Sequence, residues 1–392
     1  MNEFLSADEQ DFLQACEVGA IAIVKGLVRD GVNPNANHLK DEDGHSGLDY
    51  AGRYGHPELF KYLNELGGGS QSFEQERNAF KAMDGAIRNG HTEIVDYVVE
   101  TYPNAEKWLF NDALWRASNS NQLEMAKKFI ERGADVHDQD EAALRTASTY
   151  GKTEIVKYLV ELGADVRASN SEALIGASEN GYLETVNFLI EKGADVQAQD
   201  NKALIRAARD GHTDVVKTLL EHGANAQAQE NDALYYAANY GYADMVKSLL
   251  EHGADPHAKN GQAILWAARN GHNEVIDVFL EKGVDIFKQD DCPIADAIYN
   301  NHTSVAENII TNHKIPLSEK STKQLNELKN TTITYNKKEI KDGVEQTFRL
   351  NDKLLLEKKL ESKLLSNDIA SFSIDKPRQG LAKKMKSQGM KL

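Results

Sequence analysis

At 392 residues and 43.5 kDa, with 41% apolar and 7% aromatic residues, the chain can form about two or three compact domains or one elongated array, and wholesale disorder is excluded. The formal charge is −16, but residues 314–392 hold 18 Lys+Arg against 10 Asp+Glu, which leaves the first 313 residues at −24. A surface that acidic repels phosphate backbones and anionic membranes, so no nucleic acid is expected on it and only the basic end suits either.

The N-terminal stretch from Met1 to Glu9 is acidic, and no apolar run approaches the ~18 residues that span a bilayer. Neither a Sec signal peptide nor a membrane span is expected. Residues 1–108 then carry three irregular repeats, marked by Gly19, Gly55 and Gly90. Insertions separate them, notably 37–42 and the stretch from Gly67 to Arg77, whose Gly/Ser start predicts a turn leading into a helix extension. The polar Asp8 to Asp11 stretch fits the first repeat as an N-terminal cap. Cys16 occupies a place where the helix needs a small core residue. Cys292 precedes Pro293 and stands 276 positions away, so no CxxC or disulfide framework exists and both thiols read as idle in a reducing compartment.

From 109 to 313 the pattern becomes regular. Gly133-Ala134-Asp135 recurs as Gly163-Ala164-Asp165, Gly193-Ala194-Asp195, Gly223-Ala224-Asn225, Gly253-Ala254-Asp255 and Gly283-Val284-Asp285, with a constant period of 30. A second marker keeps the same step at Gly151, Gly181, Gly211, Gly241 and Gly271, with Asn121 and Asn301 at the ends, and the whole chain then holds ten repeats. Each repeat predicts two short helices. In one, Leu204, Ala207 and Ala208 form a narrow face of small residues. In the next, Val215, Val216, Leu219 and Leu220 form the buried face, Thr213 is placed as N-cap and Gly223 as the stop. Neither helix reaches the ~12–15 residues needed for marginal stability alone, so neighbouring pairs must bury each other's apolar faces.

These residues resemble the ankyrin repeats over about 300 of 392 positions. The resemblance rests on the Asn-Gly-His-x-Glu turns from Asn89 to Glu93 and Asn270 to Glu274, on the helix ends before each Gly-Ala-Asp, and on Asp43-Gly44-His45-Ser46-Gly47-Leu48. It implies an all-α solenoid of about ten helix-turn-helix units. The family's Thr-Pro-Leu-His is replaced by Ala142-Ala143-Leu144-Arg145 or Lys202-Ala203-Leu204-Ile205, and the period is 30 rather than about 33. The projecting hairpins are therefore expected to shrink to short loops in the regular repeats. Such 30-residue variants are similar to ankyrin proteins of intracellular bacteria and large DNA viruses.

Residues 314–370 do not repeat. They predict a short helix, a hairpin around Asp342-Gly343 and an amphipathic helix near 350–370; residues 371–392 read as a basic disordered tail. Three roles fit this end: a cap over Val305, Ile309 and Ile310 of the last repeat, a cationic binder of acidic lipid, nucleic acid or the acidic solenoid itself, or a translocation signal.

No catalytic, metal or cofactor site is expected. His56, His91, His212, His272 and His302 follow the marker, where the resemblance implies a hydrogen bond within the turn, and His222 and His252 repeat at a helix end. The cluster His38, Asp41, Glu42, Asp43 and His45 reads as a solvated acidic loop. No phosphate loop, HExxH or GxSxG occurs. Binding is favoured instead. By the resemblance, the ends of the first helices line a concave groove, among them Arg209, Asp210, Asn239, Tyr240, Arg269 and Asn270. Tyr235, Tyr236 and Trp266 join them to make an aromatic and arginine cluster suited to a protein interface. The competing reading has Tyr236 and Trp266 filling gaps beside small residues such as Gly176. The resulting expectation is a monomeric, non-enzymatic protein-binding scaffold, cytoplasmic or secreted into a host cell without a signal peptide as an effector. The alternative is an effector whose residues 314–392 form a functional, membrane- or nucleic-acid-binding module targeted by the repeats.

Overall fold

A computed structural model of the chain describes residues 5–36, 39–66, 73–286, 293–300 and 302–312. His38, residues 67–72, Cys292, Asn301 and all of 314–392, with the expected hairpin and amphipathic helix, lie outside the described residues. Contacts divide the chain into an N-terminal half, 1–203, and a C-terminal half, 204–392.

In the N-terminal half the helices run in pairs: α1 (Ala7–Glu17) with α2 (Ile21–Arg29), α3 (Gly47–Tyr54) with α4 (Pro57–Leu66), and α5 (Phe73–Asn89) with α6 (Thr92–Thr101). The regular pairs follow as α7 (Lys107–Asn119) and α8 (Leu123–Glu131), α9 (Asp138–Thr149) and α10 (Thr153–Glu161), α11 (Ala168–Glu179) and α12 (Leu183–Glu191). The half boundary falls within α13 (Ala198–Asp210). The C-terminal half continues with α14 (Thr213–Glu221), α15 (Ala228–Tyr240), α16 (Ala243–Glu251), α17 (Ala258–Arg269), α18 (Asn273–Glu281), α19 (Pro293–Tyr299) and α20 (Thr303–Asn312). Ten pairs result, with no strand among the described residues. None of these helices is long and apolar enough to cross a membrane.

Within each half, first helices pack on first helices, as in α1, α3, α5 and α7, or α15, α17 and α19. Second helices pack likewise, as in α8, α10 and α12, or α14, α16, α18 and α20. Residue size explains the two layers. First helices bury small residues, such as Ala117, Ala147, Ala237, Ala238, Ala267 and Ala268, which let neighbouring backbones approach closely. Second helices bury branched chains, and Val215, Val216, Leu219 and Leu220 are all in the core as the periodicity predicts. Residues 67–72 aside, the second insertion does extend a helix: α5, at 17 residues, is the longest among the described residues. Ser46 opens α3 with a reciprocal capping box to Asp49, and Ser6 does the same for α1 with Glu9.

The Gly-Ala-Asp signature has two separable jobs, illustrated at Gly223-Ala224-Asn225. Gly223 adopts φ 89°, which lets the Ala224 N–H donate back to the Leu219 carbonyl (2.9 Å) and close the helix end. The Asn225 side chain accepts the Gln227 N–H (2.9 Å), an Asx turn that Asp135, Asp165, Asp195 and Asp255 repeat. A left-handed turn of three residues follows, Gln229, Glu230 and Asn231 with φ 48°, 56° and 66°. The same turn recurs at 139–141, 169–171, 199–201 and 259–261. It stands where the family's hairpin would project, so the expected shortening takes the form of a compact left-handed turn leading directly into the first helix.

The third residue of this turn links repeats: Glu141 Oε1 accepts the Asp165 N–H (3.2 Å), Ser171 Oγ the Asp195 N–H (3.0 Å) and Asn231 Oδ1 the Asp255 N–H (2.7 Å). Asn111, at the same register but within the regular helix α7, makes the equivalent bond, its Oδ1 accepting the Asp135 N–H (2.7 Å). Glu141 is the one carboxylate in this set, and His137 Nδ1 lies 2.7 Å from its Oε1. The hydrogen bond and charge of Glu141, with smaller contributions from Asp135 and Asp165, raise the His137 pKa above its ordinary value of about 6.5. A raised folded-state value means the pairing stabilises fully below about pH 6.5 and is lost as pH rises through the folded value. Thermal melts of the full chain should therefore show a small stability increment on the acid side that disappears in Glu141→Gln; the increment is small because the imidazole is largely exposed. An identical profile in Glu141→Gln would remove the pair as its source.

Two sequence expectations need correction. Thr213 is the first helical residue of α14, not its cap; His212 holds the cap position without a side-chain cap bond, and the Thr213 N–H donates to the Gly211 carbonyl (3.0 Å). Three of the marker histidines bond across repeats and not within their own turns. His56 Nε2–H donates to the Glu17 carbonyl (2.9 Å), His91 to that of Arg53 (3.1 Å) and His272 to that of Asn239 (2.9 Å), each in the preceding repeat. Each ring also lies flat against the preceding marker glycine: a Cβ on Gly55 would fall 2.5 Å from the His91 ring, and one on Gly241 2.6 Å from that of His272. His222 and His252 do cap their own helices, through carbonyls of Thr218 and Ser248 at 2.8 Å.

Candidate functional site

The aromatic residues singled out by the sequence all lie in the C-terminal half, on α15, the turn after it, and α17. Spacing accounts for their alignment, since Tyr236 and Tyr240 are one helical turn apart and Trp266 is thirty positions beyond Tyr236. Their rings form a connected series. Tyr235 meets Tyr236 edge-on at 5.2 Å and Trp266 at 6.4 Å, Tyr236 stacks on Tyr240 at 6.4 Å, and Tyr240 reaches Tyr242 at 6.1 Å. Tyr235, Tyr236 and Trp266 are half-buried, while Tyr240 keeps 49% of its surface exposed. Edge and offset contacts of this kind fix ring orientation and leave flat apolar faces outward.

Arg269 joins this series. Its guanidinium lies 4.7 Å over the Trp266 ring and its Nη2 is held at 3.2 Å by Asp296 of α19. Asn270 donates to both the backbone and side-chain oxygens of Asn239 at 3.0 Å, tying the ends of α17 and α15. Arg209 instead turns to its own neighbour, pairing with Asp210 through Nε and Nη2 at 2.9 Å. That pairing lowers the Asp210 pKa, with desolvation acting in the opposite sense. Tyr235, Tyr236, Tyr240, Trp266, Arg269, Asn239 and Asn270 are thus brought together, and Arg209 with Asp210 forms a separate pair.

The gap-filling alternative fails at Gly176. The space over that glycine is taken by the Thr149 side chain, whose hydroxyl donates to the Arg145 carbonyl (2.9 Å), and neither Tyr236 nor Trp266 fills it. A second aromatic and arginine cluster escaped the sequence reading. In the N-terminal half Trp115 Nε1–H donates to the Thr146 hydroxyl (2.8 Å), and Arg116 lies 5.8 Å over its ring while bridging Asp84 and Asp112 at 2.7 Å. Trp115 stands six positions before its marker, as Tyr235 does, and that shared register was the available signal.

Two features among the described residues could carry other chemistry, the Asp41 cluster and Cys16. Asp41, Asp43 and His45 place donor atoms within 4.8 Å of one another. Asp41 accepts from the His45 backbone (2.7 Å) and ring (3.1 Å) and from the Tyr50 hydroxyl (2.6 Å). Desolvation opposes, but these bonds prevail and lower the Asp41 pKa. His45 Nε2 in turn accepts from Arg53 at 2.6 Å, so both ring nitrogens are used and a cation is already present where a metal would bind. Cys16 is fully buried in α1, and desolvation pushes its pKa up to about 12, which keeps the thiol protonated and a poor nucleophile.

No curated protein matches this chain. Among solved structures, the human ASB11 ankyrin repeat domain is similar at 26% identity and a TM-score of 0.47, covering 52% of this chain and 99% of that one. A family model described as ankyrin repeats (3 copies) matches residues 12–111, 114–200 and 197–260. Those matches span well over half of the sequence and coincide with the stacked helix pairs, so the chain belongs to the ankyrin-repeat family, whose members are in general non-enzymatic protein-interaction modules.

Proposed function

We propose that this chain is a non-enzymatic scaffold that holds a protein partner on the first-helix face of its C-terminal half, through Tyr235, Tyr236, Asn239, Tyr240, Trp266, Arg269 and Asn270, with Arg209 and Asp210 at the flank. The observation that carries this reading is the continuous series of rings that includes the exposed Tyr240. Tyr, Trp and Arg dominate interface energetics because they cover much area with few rotors and keep a polar end. Charge distribution favours the same face. The second helices α14, α16 and α18 carry seven acidic residues against two lysines, whereas the first-helix segments 204–210, 228–240 and 258–269 carry three acidic residues against four cations. If the chain is an effector, as its resemblance to bacterial 30-residue variants implies, the partner is a host protein.

The test is capture and quantification of the partner with the full chain and with the double variant Tyr240→Ala/Trp266→Ala. An affinity loss of about 30-fold or more is expected, with the helical circular dichroism unchanged. Equal affinity in a folded double variant would overturn the assignment of this face.

A further inference from the structure

Beside the ring series lies an open cavity of about 260 Å³, lined by Lys259, Asn260, Gln262, Leu265, Trp266 and Arg269. Among the described residues its lining holds two cations, two amides and an apolar floor, and no carboxylate. In a chain whose first 313 residues sum to −24, a site whose two cations balance the carboxylates that hold them is a local relief of that charge.

Both cations are positioned from outside the cavity. Lys259 is held by Asp232, and Arg269 by Asp296 through Nη2 alone. An ammonium has three N–H donors and a guanidinium five, so these tethers fix the two heads and leave donors for a ligand. The guanidinium already rests on the Trp266 ring, which removes part of the ordering cost that binding would impose. Asn260 and Gln262 add amide groups that can pair with an extended backbone, while Leu265 and Trp266 offer an apolar wall.

We infer that this cavity is the anchor for an acidic peptide segment of the partner, taking an Asp or Glu carboxylate between Lys259 and Arg269 and an adjoining apolar side chain against Trp266. The inference rests on the proposed partner-binding face and specifies its ligand. A peptide fits better than a nucleic acid because one or two carboxylates can be accommodated locally, whereas a strand brings a charge with every nucleotide toward the acidic second-helix layer. Long-range attraction alone would draw basic peptides to this chain, so the local and global electrostatics predict opposite selections.

The experiment is selection of random phage-displayed peptides on the immobilised full chain, followed by titration of a synthetic peptide from the enriched pool. Enrichment of Asp or Glu next to an apolar residue is expected. Lys259→Met and Arg269→Met, which keep the apolar stems, should each weaken the synthetic peptide by about tenfold or more, and its Gln/Asn isostere should bind as weakly. Enrichment of basic or neutral peptides, no enrichment, equal binding by the isostere, or single-stranded DNA displacing the peptide at equal concentration would each overturn the inference. Including Tyr240→Ala/Trp266→Ala separates the two levels. Partner capture lost in that variant but untouched by Lys259→Met and Arg269→Met removes the acidic anchor and keeps the face; capture untouched by any of them removes the face itself.

Discussion

Gly52→Val is expected to destabilise the N-terminal half by about 3–5 kcal/mol, among the largest effects of any single substitution in the chain. The cause is a close crossing of α3 and α5. A Cβ on Gly52 would sit well inside contact with the Ala82 carbonyl oxygen and 3.2 Å from its carbon. Gly85 faces α3 reciprocally, where a Cβ would come within 2.7 Å of the Arg53 Cα. These are backbone atoms, so no rotamer change relieves the clash and the helices must separate. The apolar residues packed around this crossing, Phe60, Ala82, Met83 and Ala86, are all buried. Gly176→Ala is the informative control, since the severe contact of its new Cβ is with the Thr149 hydroxyl, which can turn away at the loss of one hydrogen bond, about 1 kcal/mol, while the Thr149 Cβ and Cα at 3.2 and 3.3 Å need give only slightly. Urea unfolding measures both. Hydrogen exchange should place the Gly52→Val damage in the first three helix pairs, because stability in a stacked array is set by nearest neighbours. Equal costs for the two variants would show that the α3–α5 crossing has slack.

The second large effect is expected at Asn231. This buried residue ends a left-handed turn at φ 66° and accepts the Asp255 N–H. Asn231→Ala leaves that N–H without its acceptor and puts a Cβ-bearing residue that lacks asparagine's tolerance into the left-handed region, a combined cost of about 2–3 kcal/mol. Asn231→Gly loses the bond but relaxes the backbone, so about 1–2 kcal/mol is expected. The order wild type, then glycine, then alanine is the decisive outcome in chemical denaturation. The chain supplies its own comparison, because Gly261 occupies the corresponding place one repeat later at φ 70°. Alanine and glycine variants of equal stability would remove backbone strain from the account.

Much of the repeat architecture is legible in the sequence because it is periodic. The thirty-residue step, the marker glycines and the two apolar faces all follow from spacing, and the core at Leu204, Ala207, Val216 and Leu219 is where that spacing puts it. What spacing does not reveal is which partner a side chain chooses. The histidines bond carbonyls more than thirty positions earlier, so nothing local distinguishes a bond across repeats from one within a turn. Left-handed turns at Gln139, Asp140 and Glu141 or Ser169, Asn170 and Ser171 contain no glycine and read as ordinary helix starts; only the recurrence of Asn, Asp and Ser hints at them. The aromatic cluster was found because tyrosine and tryptophan break an alanine-rich column. Trp115 and Arg116 went unnoticed because they stand as a single pair in the most N-terminal regular repeat.

Every polar link between repeats described above reaches one neighbour and no further: the turn residue to the next aspartate, the histidine to the previous carbonyl. Within either half, a gene segment encoding one whole period can therefore be duplicated or lost by recombination without orphaning a buried donor, since each new junction rebuilds the same pair. The regular repeats can therefore change in number by whole steps, which leaves the partner-facing positions free to diversify while the scaffold is copied intact; the histidine link tolerates more, since it also forms across the longer spacings of the first repeats.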